Sequence, residues 1–470
     1  MISRTLQIAQ MKDILHLKRS SFVAVTGRRR VGKTYLIEEV YKKHICLSVT
    51  GIQSGDKQTQ IINFEDKIIE KFKKVLSKPS KNWQELFILL KKALKTLPKN
   101  KKQVIFLDEL PWMNTAKSNF IQLLAHLWND YLSKEKHFIL VICGSSTSWI
   151  HQKIINDKGG FHNRLTHSIH LDPFTLSETK QFLQSKKITL TDTAIAEIYM
   201  AIGGIPFYLE DIKRGESTRA SIERMCFKTG GILKKEYENL YRALFDNAIL
   251  HESVVAALAL SKSGLTRDEI ISNSKVRAGG PIQRTLDDLK ISGFIVEENQ
   301  FGKRKRGAIY RLIDEYSVFY HRFIKNQKQT KSDIWSLVSN TQSYKIWRGY
   351  AFETLCLKHI EEIKHALGIG KVYTETSTYK YQNQKEGIWI DFVIDRKDAA
   401  INLCECKFYE APFEITKIYG GDLQKRKFIF REKTNTKKSL FTTLITNHPL
   451  KVNQYSLEVV DASIHVSELM

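Results

Sequence analysis

The chain lacks the features that mark membrane-spanning and secreted proteins. Its 470 residues contain no run of about eighteen apolar residues, the length that a membrane-spanning helix needs. Residues 1–14 have neither the apolar core nor the small-residue cleavage site of a secretory signal. The sequence therefore predicts a cytoplasmic protein without a membrane partner.

Cysteines are few and scattered. The six cysteines include no C-x-x-C pair, which argues against a disulfide framework, and most of them lie in apolar runs. We expect reduced, buried thiols. Cys404 and Cys406 alternate on one predicted strand, so a metal site is the alternative, but two ligands without partners make a weak case.

Acidic residues are scarce relative to basic ones. The chain has 74 Lys and Arg against 50 Asp and Glu, a net charge of +24, with most of the excess in residues 1–225. This charge predicts a polyanionic partner, with nucleic acid ahead of an acidic membrane surface. A generally basic host proteome is the alternative. The length predicts about three domains.

A predicted strand, Phe22 to Val25, runs into the segment GRRRVGKT and then into a helical pattern. This is the P-loop spacing G-x-x-x-x-G-K-[ST], in which backbone N–H groups cradle phosphates at a helix N-terminus. Lys33 would reach the β- and γ-phosphates, and Thr34 would bind Mg²⁺. An ordinary glycine turn is the alternative. The predicted ATP-binding residues here are Gly27, Arg28, Arg29, Arg30, Val31, Gly32, Lys33, Thr34 and Tyr35.

A second apolar run, Val104 to Leu107, predicts a strand buried on both faces that delivers Asp108 and Glu109 to its carboxyl end. Open α/β sheets bind their ligands at that end. We expect Asp108 to hold Mg²⁺ through its water shell and Glu109 to deprotonate the attacking water. Capping of a following helix is the alternative reading of the acidic pair.

A third apolar run, Phe138 to Cys143, is followed by polar residues at the strand tip. Ser145 is the predicted contact to the attacking water or the γ-phosphate, with Ser146 close behind. Downstream, Arg164 would stabilise transition-state charge, in cis or as a finger given to a neighbouring subunit of a homo-oligomer. The alternative is an exposed arginine near a strand.

The motifs GRRRVGKT, FLDELPWM, ICGSS, NRLTHSIHLDPF and GGIPFYL occur in the order seen in the archaeal-type family of AAA+-like P-loop ATPases, which residues 1–230 resemble. The resemblance implies a doubly wound parallel sheet followed by a helical lid. It also implies that Pro206 lies near the nucleotide base and that Arg164 is a candidate arginine finger. Members of that family differ in biological role, so the resemblance assigns ATP hydrolysis and no pathway.

Residues 249–313 contain three helical patterns and two strands. The helical pattern Ile282 to Ile291 precedes Phe294 to Val296 and Ala308 to Leu312, which predict a hairpin with a basic tip at 302–307. This order predicts a winged helix that binds DNA. Protein contacts, or support of the lid, are the alternatives.

Two later strands carry a third set of polar residues. Asp391 lies on the predicted strand 387–394, and Glu405 and Lys407 share one face of the strand 401–407. Two carboxylates can share a divalent cation, and a lysine beside them can neutralise phosphate charge. Surface ion pairing on an edge strand is the alternative. Lys425 and Lys427 on a later helix are further candidates for phosphate contacts or a solvated face.

This arrangement resembles the PD-(D/E)XK nuclease superfamily. The resemblance implies that Asp391 and Glu405 bind Mg²⁺ or Mn²⁺, that Lys407 is the motif lysine, and that Glu353 is the acidic residue of the first helix. Ile390 stands where that superfamily often has proline.

The sequence as a whole predicts an α/β protein with a P-loop doubly wound parallel sheet and helical lid, a winged helix, and a C-terminal restriction-endonuclease-like domain. The predicted parts are a P-loop ATPase core (1–175), a helical lid (176–245), a winged helix (246–325), a linker (326–343) and a nuclease-like domain (344–470). The predicted function is ATP hydrolysis with DNA association and metal-dependent DNA cleavage. A nucleotide-dependent regulatory switch with protein partners and an inactive nuclease-like domain is the alternative. A third interpretation, a scaffold that binds nucleotide without hydrolysing it, is disfavoured because Glu109 is present as a predicted catalytic base.

Overall fold

The computed structural model describes residues 4–73, 78–245, 247–274, 276, 279–302, 308–327, 334–383 and 387–470. They divide into two units, residues 4–173 with 242–245, and residues 174–241 with 247–470. No helix within these ranges is long and apolar enough to span a membrane.

The first unit is built on a parallel sheet of five strands in the order β2-β3-β4-β1-β5. Three of these strands, β1, β3 and β4, contain the predicted apolar runs. Every residue of β1, β3 and β4 is buried, because helices cover both faces. The strands are β1 (Ser21–Gly27), β2 (Ile45–Thr50), β3 (Gln103–Asp108), β4 (Phe138–Cys143) and β5 (His167–Leu171). The helices are α1 (Thr5–His16), α2 (Lys33–Tyr41), α3 (Lys57–Lys71), α4 (Trp83–Leu94), α5 (Leu110–Met113), α6 (Phe120–Asp130) and α7 (Thr147–Ile150).

The second unit begins with a group of helices and continues into a small antiparallel sheet of order β6-β8-β7. The helices are α8 (Leu176–Ser185), α9 (Asp192–Ile202), α10 (Pro206–Glu210), α11 (Thr218–Ile222), α12 (Glu236–Arg242), α13 (Ala248–Leu260), α14 (Arg267–Ser274) and α15 (Gly280–Ile291). The strands are β6 (Leu265–Thr266), β7 (Ile295–Glu298) and β8 (Ile309–Leu312). The predicted hairpin is therefore present as β7 and β8, and residues 303–307 of its predicted tip at 302–307 lie outside the described residues.

The rest of the second unit surrounds a mixed sheet of order β13-β12-β11-β10-β9. Strands β9, β10 and β11 are antiparallel, whereas β11, β12 and β13 are parallel. The helices are α16 (Glu315–Phe319), α17 (Ile334–Ser339), α18 (Gln342–Lys358), α19 (Ile360–Ala366), α20 (Lys417–Thr434) and α21 (Gln454–Val459). The strands are β9 (Thr374–Gln382), β10 (Gly387–Arg396), β11 (Ala400–Lys407), β12 (Ser439–Thr446) and β13 (Ala462–His465).

Two segments differ from the sequence-based expectation. The sequence around Glu353 has a helical pattern from Trp347 to Ile363, which predicts one helix. In the structure this segment is split into α18 and α19 at His359, whose ring Nε2 accepts the Leu176 N–H over 2.9 Å. Part of the segment 326–343, interpreted as a linker, forms α17, in which Trp335 is 1% exposed and stacks on Phe227 with ring centroids 5.7 Å apart. Residues 328–333 of that segment lie outside the described ranges.

The end of β7 is attached to the C-terminal sheet. Gln300 forms a bridge to Thr378 of β9, and the Phe301 N–H donates to the Thr378 carbonyl over 2.9 Å. The Phe301 ring lies 5.0 Å from the Phe430 ring and 6.4 Å from the Tyr379 ring, measured between centroids. The hairpin and the C-terminal sheet therefore share apolar packing.

Candidate functional site

The P-loop begins where β1 ends. Gly27 has φ 136°, and a Cβ there would lie 2.2 Å from the carbonyl oxygen of Leu171 on the neighbouring strand β5. Arg30 and Gly32 also have positive φ, at 69° and 90°. These left-handed residues fold the turn so that α2 begins at Lys33, as the motif predicts.

Lys33 lies buried inside this turn. Its Nζ donates to the carbonyl oxygens of Gly27 over 2.8 Å and of Arg28 over 2.9 Å. Burial lowers the pKa of Lys33, and the nearby Cys143, Glu109 and Asp108 act in the opposite direction. The ammonium is thus held by backbone oxygens that phosphate oxygens are suited to replace.

Thr34 and Asp108 meet at the carboxyl ends of β1 and β3. The Thr34 hydroxyl donates to Asp108 Oδ2 over 3.0 Å. Asp108 Oδ1 accepts the Glu109 N–H over 2.9 Å and the Cys143 thiol over 2.7 Å. A hydroxyl and a carboxylate are the oxygen donors that Mg²⁺ prefers, so these residues fit the ion that the sequence predicts. Sequence analysis missed Cys143, although it is the last residue of the apolar run that forms β4.

Glu109 has a left-handed backbone, with φ 46°, directly after β3. Its Oε2 accepts both the N–H and the hydroxyl of Ser145, each over 2.8 Å. The hydroxyl of Ser146 donates elsewhere, to the Leu244 carbonyl over 3.0 Å. The structure thus brings Ser145, and not Ser146, to Glu109.

The remaining predicted residues of the nucleotide site occupy different environments. Arg28 and Val31 are buried in the loop, and Tyr35 is 60% exposed on α2. Arg164 is exposed on the segment before β5. Pro206 opens α10 in the other unit. The roles of Arg164 and Pro206 therefore stay predictions.

Asp391 and Glu405 lie on the adjacent strands β10 and β11. The antiparallel register pairs Phe392 with Cys404, which sets Asp391 opposite Glu405. Asp391 Oδ2 accepts the Cys406 N–H over 2.8 Å. Burial, followed by the charges of Glu405 and Glu353, raises the pKa of Asp391 well above its usual value.

The carboxylate of Glu405 is surrounded by donors. Its Oε1 accepts from Arg426 over 2.7 Å, and its Oε2 accepts from Lys407 Nζ and the Tyr419 hydroxyl, each over 3.3 Å. The pKa of Lys407 is raised. Burial alone would lower this pKa, but the nearby Glu405, Tyr419 and Asp391 raise it by a larger amount. β11 is the central strand and Glu405 is 3% exposed, so surface ion pairing on an edge strand is the wrong interpretation.

Arg426 is a site residue that sequence analysis missed. It lies on α20 between the two lysines that were candidates for phosphate contacts. Lys425 is exposed, and Lys427 pairs with Asp461 over 3.0 Å. The basic run Lys425 to Lys427 was the available signal, but the sequence does not give the rotation of α20 against the sheet.

Glu353 of α18 forms a buried ion pair with the preceding hairpin. Its Oε1 lies 2.8 Å from Arg311 Nη1, and Arg311 Nε lies 2.8 Å from Glu298 Oε1. Burial raises the pKa of Glu353, whereas Arg311 lowers it. Glu298, Glu353 and Glu405 are therefore ion-paired. The described residues contain no group of three or more His, Cys, Asp or Glu placed to hold a metal ion.

The six cysteines are free and buried, as predicted. Cys404 and Cys406 belong to no metal-binding cluster within the described ranges. Metal binding through this pair thus has no structural support.

A five-stranded parallel sheet with a P-loop directly after β1 defines the fold of a P-loop ATPase. Residues 1–212 match the family model described as an ATPase domain predominantly from Archaea. The sequence is similar to an uncharacterized protein of Methanocaldococcus jannaschii, with 21% identity over 363 residues that cover 77% of each chain. It is also similar to an uncharacterized ATP-binding protein of the same organism, with 30% identity over 195 residues, 41% of this chain and 52% of that protein.

Among solved structures, the chain is similar to a Walker-type ATPase of Pyrococcus abyssi. The TM-score is 0.51 at 18% identity, over 68% of this chain and 96% of the other. At this identity the likeness shows a shared fold. The family match supports nucleotide binding and ATPase chemistry.

Proposed function

We propose that the chain hydrolyses ATP and couples hydrolysis to an association with DNA. The observation that carries the ATPase assignment is the convergence of Lys33, Thr34, Asp108 and Glu109 at the carboxyl ends of β1 and β3. Bound ATP with Mg²⁺ would supply the γ-phosphoryl group and the ion that neutralises its charge. Lys33 would exchange its contacts with the Gly27 and Arg28 carbonyls for phosphate oxygens.

Glu109 is the proposed base. Its Oε2 is fixed by the two Ser145 donors, so the other carboxylate oxygen is the one left to orient the attacking water and accept its proton. Thr34 and Asp108 would hold Mg²⁺. These residues lie at the end of the sheet where α/β proteins bind nucleotides.

The experiment is to compare ATP turnover and ATP binding in wild type and Glu109→Gln. We expect turnover to fall by at least about a hundredfold while ATP binding is retained, because the amide cannot accept the proton. Glu135→Gln is the matched control, since Glu135 pairs with Lys99 over 3.0 Å at the surface. Undiminished turnover in Glu109→Gln would remove its assignment as the base.

DNA association is proposed for the segment that contains α13, α14, α15 and the β7–β8 hairpin. The supporting observation is that Ile282, Leu286 and Leu289 of α15 are buried, whereas Gln283 and Arg284 are exposed. A helix with such an exposed polar face suits insertion into a major groove.

DNA binding is testable through its salt dependence. Contacts with several phosphates make affinity fall steeply between about 50 and 200 mM salt. We expect Arg284→Ala to weaken duplex binding, with Lys397→Gln as the control in another part of the second unit. A response that is flat with salt would instead favour a switch that binds protein partners.

Metal-dependent phosphodiester cleavage is a second candidate function. It is supported by the facing carboxylates of Asp391 and Glu405 with Lys407 beside them. Asp391 and Glu405 would hold Mg²⁺ or Mn²⁺, but Glu405 would first have to leave Arg426. The pKa of Asp391 is raised because burial and neighbouring carboxylates disfavour its ionised form. A bound cation would favour that ionised form.

The test is cleavage of labelled plasmid and linear DNA with Mg²⁺ or Mn²⁺, with and without ATP. Cleavage that Asp391→Ala abolishes would establish this activity. If no condition gives cleavage while ATP turnover is intact, the regulatory switch with an inactive nuclease-like domain becomes the better assignment.

A further inference from the structure

A pocket of about 490 Å³ is lined in part by Lys407. Its walls come from the first turns of α18 and from the segment that follows β11. The lining includes three cationic side chains, two aromatic side chains and one carboxylate. They are Lys345, Arg348, Lys407, Phe408, Tyr409 and Glu410.

Arg348 is the central cation of this pocket. Its side chain is only 11% exposed, and its guanidinium carbon lies 5.3 Å from the Phe408 ring and 5.7 Å from the Tyr344 ring. Within the part of the chain that the structure describes, the buried Nε has no hydrogen-bond partner. A buried donor without a partner is costly, so a ligand that accepts a hydrogen bond would relieve that cost.

The carboxylate near Arg348 holds it weakly. Arg348 Nη1 and Glu410 Oε1 are 3.5 Å apart, and the Glu410 side chain is 71% exposed. An exposed ion pair at this distance contributes little to stability. Glu410 can therefore turn into solvent when an anion enters the pocket.

Two further cations extend the positive charge along the pocket. Lys345 is exposed and precedes Arg348 by three residues, so both side chains lie on one side of α18. Lys407 ends β11 and also contacts Glu405. Through Lys407 the pocket adjoins Glu405.

Tyr409 supplies an aromatic surface at the same place. It is 48% exposed, and one face of its ring stacks on Phe413 with centroids 4.9 Å apart. The side chain of Asn447 fixes its backbone, accepting the Tyr409 N–H and donating to the Tyr409 carbonyl, both over 2.8 Å. The ring is therefore held in place with its other face available.

We infer that this pocket binds a phosphodiester group of a single nucleic-acid strand, with Arg348 and Lys345 on the phosphate and Tyr409 stacked on an adjacent base. Cationic grooves with aromatic platforms are the usual means of binding unpaired strands. The inference rests on the proposed association with nucleic acid and is independent of strand cleavage.

The experiment measures binding of a fluorescent single-stranded oligonucleotide to the full chain by anisotropy. EDTA is present and ATP is absent, so neither cleavage nor ATP hydrolysis contributes. We expect Arg348→Met to raise Kd by about tenfold, because the methionine keeps the apolar packing and loses the charge. Lys345→Gln should raise Kd by a smaller factor and reduce the slope of log K against log salt by about 0.7.

Two further variants test the stacking of Tyr409 and the negative charge of Glu410. Tyr409→Ala should raise Kd by about 5- to 100-fold through lost stacking. Glu410→Gln should lower Kd, because it removes the negative charge that competes with the phosphate. Lys397→Gln is the matched control, since this exposed lysine follows β10 at the opposite end of the strands.

Several outcomes would overturn the inference. Lys345 and Tyr409 are partly or fully exposed, so wild-type affinity in both Lys345→Gln and Tyr409→Ala would contradict it without any question of folding. Full displacement of the oligonucleotide by low-millimolar inorganic phosphate would assign the pocket to free phosphate. If the wild type binds duplex DNA but no single strand, this inference alone fails, whereas binding to neither contradicts the proposed DNA association.

Discussion

Ser145 donates its backbone N–H and its hydroxyl to one oxygen of the Glu109 carboxylate, each over 2.8 Å. The two residues come from the ends of neighbouring strands, β3 and β4. These two hydrogen bonds fix the carboxylate of Glu109, whose backbone has a left-handed conformation. The orientation of the proposed base therefore depends on a residue 36 positions away in the sequence.

Replacing Ser145 tests this relationship. We expect Ser145→Ala to lower kcat for ATP hydrolysis by about ten- to a hundredfold with little change in ATP affinity, because Glu109 loses one of its two donors. Steady-state turnover and nucleotide titration measure the two effects separately. Ser146→Ala is the control, since its hydroxyl bonds to Leu244. Equal effects in both variants would contradict the specific role of Ser145.

Thr34 links the P-loop to Asp108 through its hydroxyl. Thr34→Val keeps the shape of the side chain and removes this donor, so we expect it to raise the Mg²⁺ concentration needed for half-maximal ATP turnover by about tenfold or more. Thr34→Ser keeps the hydroxyl and should remain near wild type. A Mg²⁺ dependence that is the same in both variants would show that the hydroxyl does not contribute to ion binding.

Arg164 is exposed, which suits a finger given to a neighbouring subunit. We expect Arg164→Ala and Glu109→Gln each to have little ATP turnover alone, and a mixture of the two to recover part of it. The reason is that mixed neighbours combine an intact Glu109 site with an intact Arg164. An inactive mixture, with each variant still folded, would place Arg164 in cis or outside catalysis.

The buried Arg311 joins Glu298 of the hairpin to Glu353 of α18. Arg311→Met removes the partner of the buried Glu353 and of the half-buried Glu298, and we expect a loss of about 3–5 kcal/mol in the free energy of unfolding. Urea denaturation measures it. The exposed Arg431→Met serves as the control. If Arg311→Met unfolds at the wild-type urea concentration, the ion pair does not stabilise the second unit.

Two buried histidines make stability depend on pH. Burial lowers the pKa of His321 and of His359 to about 4, below the value of about 6.5 in an unfolded chain. The unfolded state therefore binds more protons between these values, and stability present above pH 6.5 is lost as the pH falls toward 4. At pH 5 the loss is about 2 kcal/mol for each histidine.

Urea midpoints at pH 7.5 and pH 5 measure this change. His359→Gln should unfold more easily at pH 7.5 and show a smaller drop between the two pH values. A wild-type midpoint that does not fall at pH 5 would contradict the assignment of these histidines as buried and neutral.

Strands β1, β3 and β4 of the first unit were predictable because they contain continuous apolar runs with polar residues at their carboxyl ends. Strands β2 and β5 are only partly buried and have no such run. The predicted run Phe138 to Cys143, for example, coincides with β4. Local sequence patterns are sufficient to predict such strands because a strand that is buried on both faces consists of consecutive apolar residues.

The ion pairs around the C-terminal carboxylates were not predictable in the same way. Arg426 and Glu405 are 21 positions apart, and Arg311 and Glu353 are 42 apart. Their contacts depend on how α20 and the hairpin pack on the sheet, which no local pattern encodes. The helix around Trp335 was also missed, because its six residues are too few to show a helical period.

The contact of Phe301 with Tyr379 and Phe430 bears on how this chain can be divided. A fragment that begins at residue 344 would leave behind the ring that covers these two aromatics, together with the arginine that neutralises Glu353. Exchange of the C-terminal region between relatives would succeed only if the β7–β8 hairpin travelled with it. The part of the chain that must stay together is thus larger than residues 344–470. It begins about fifty residues earlier, with β7.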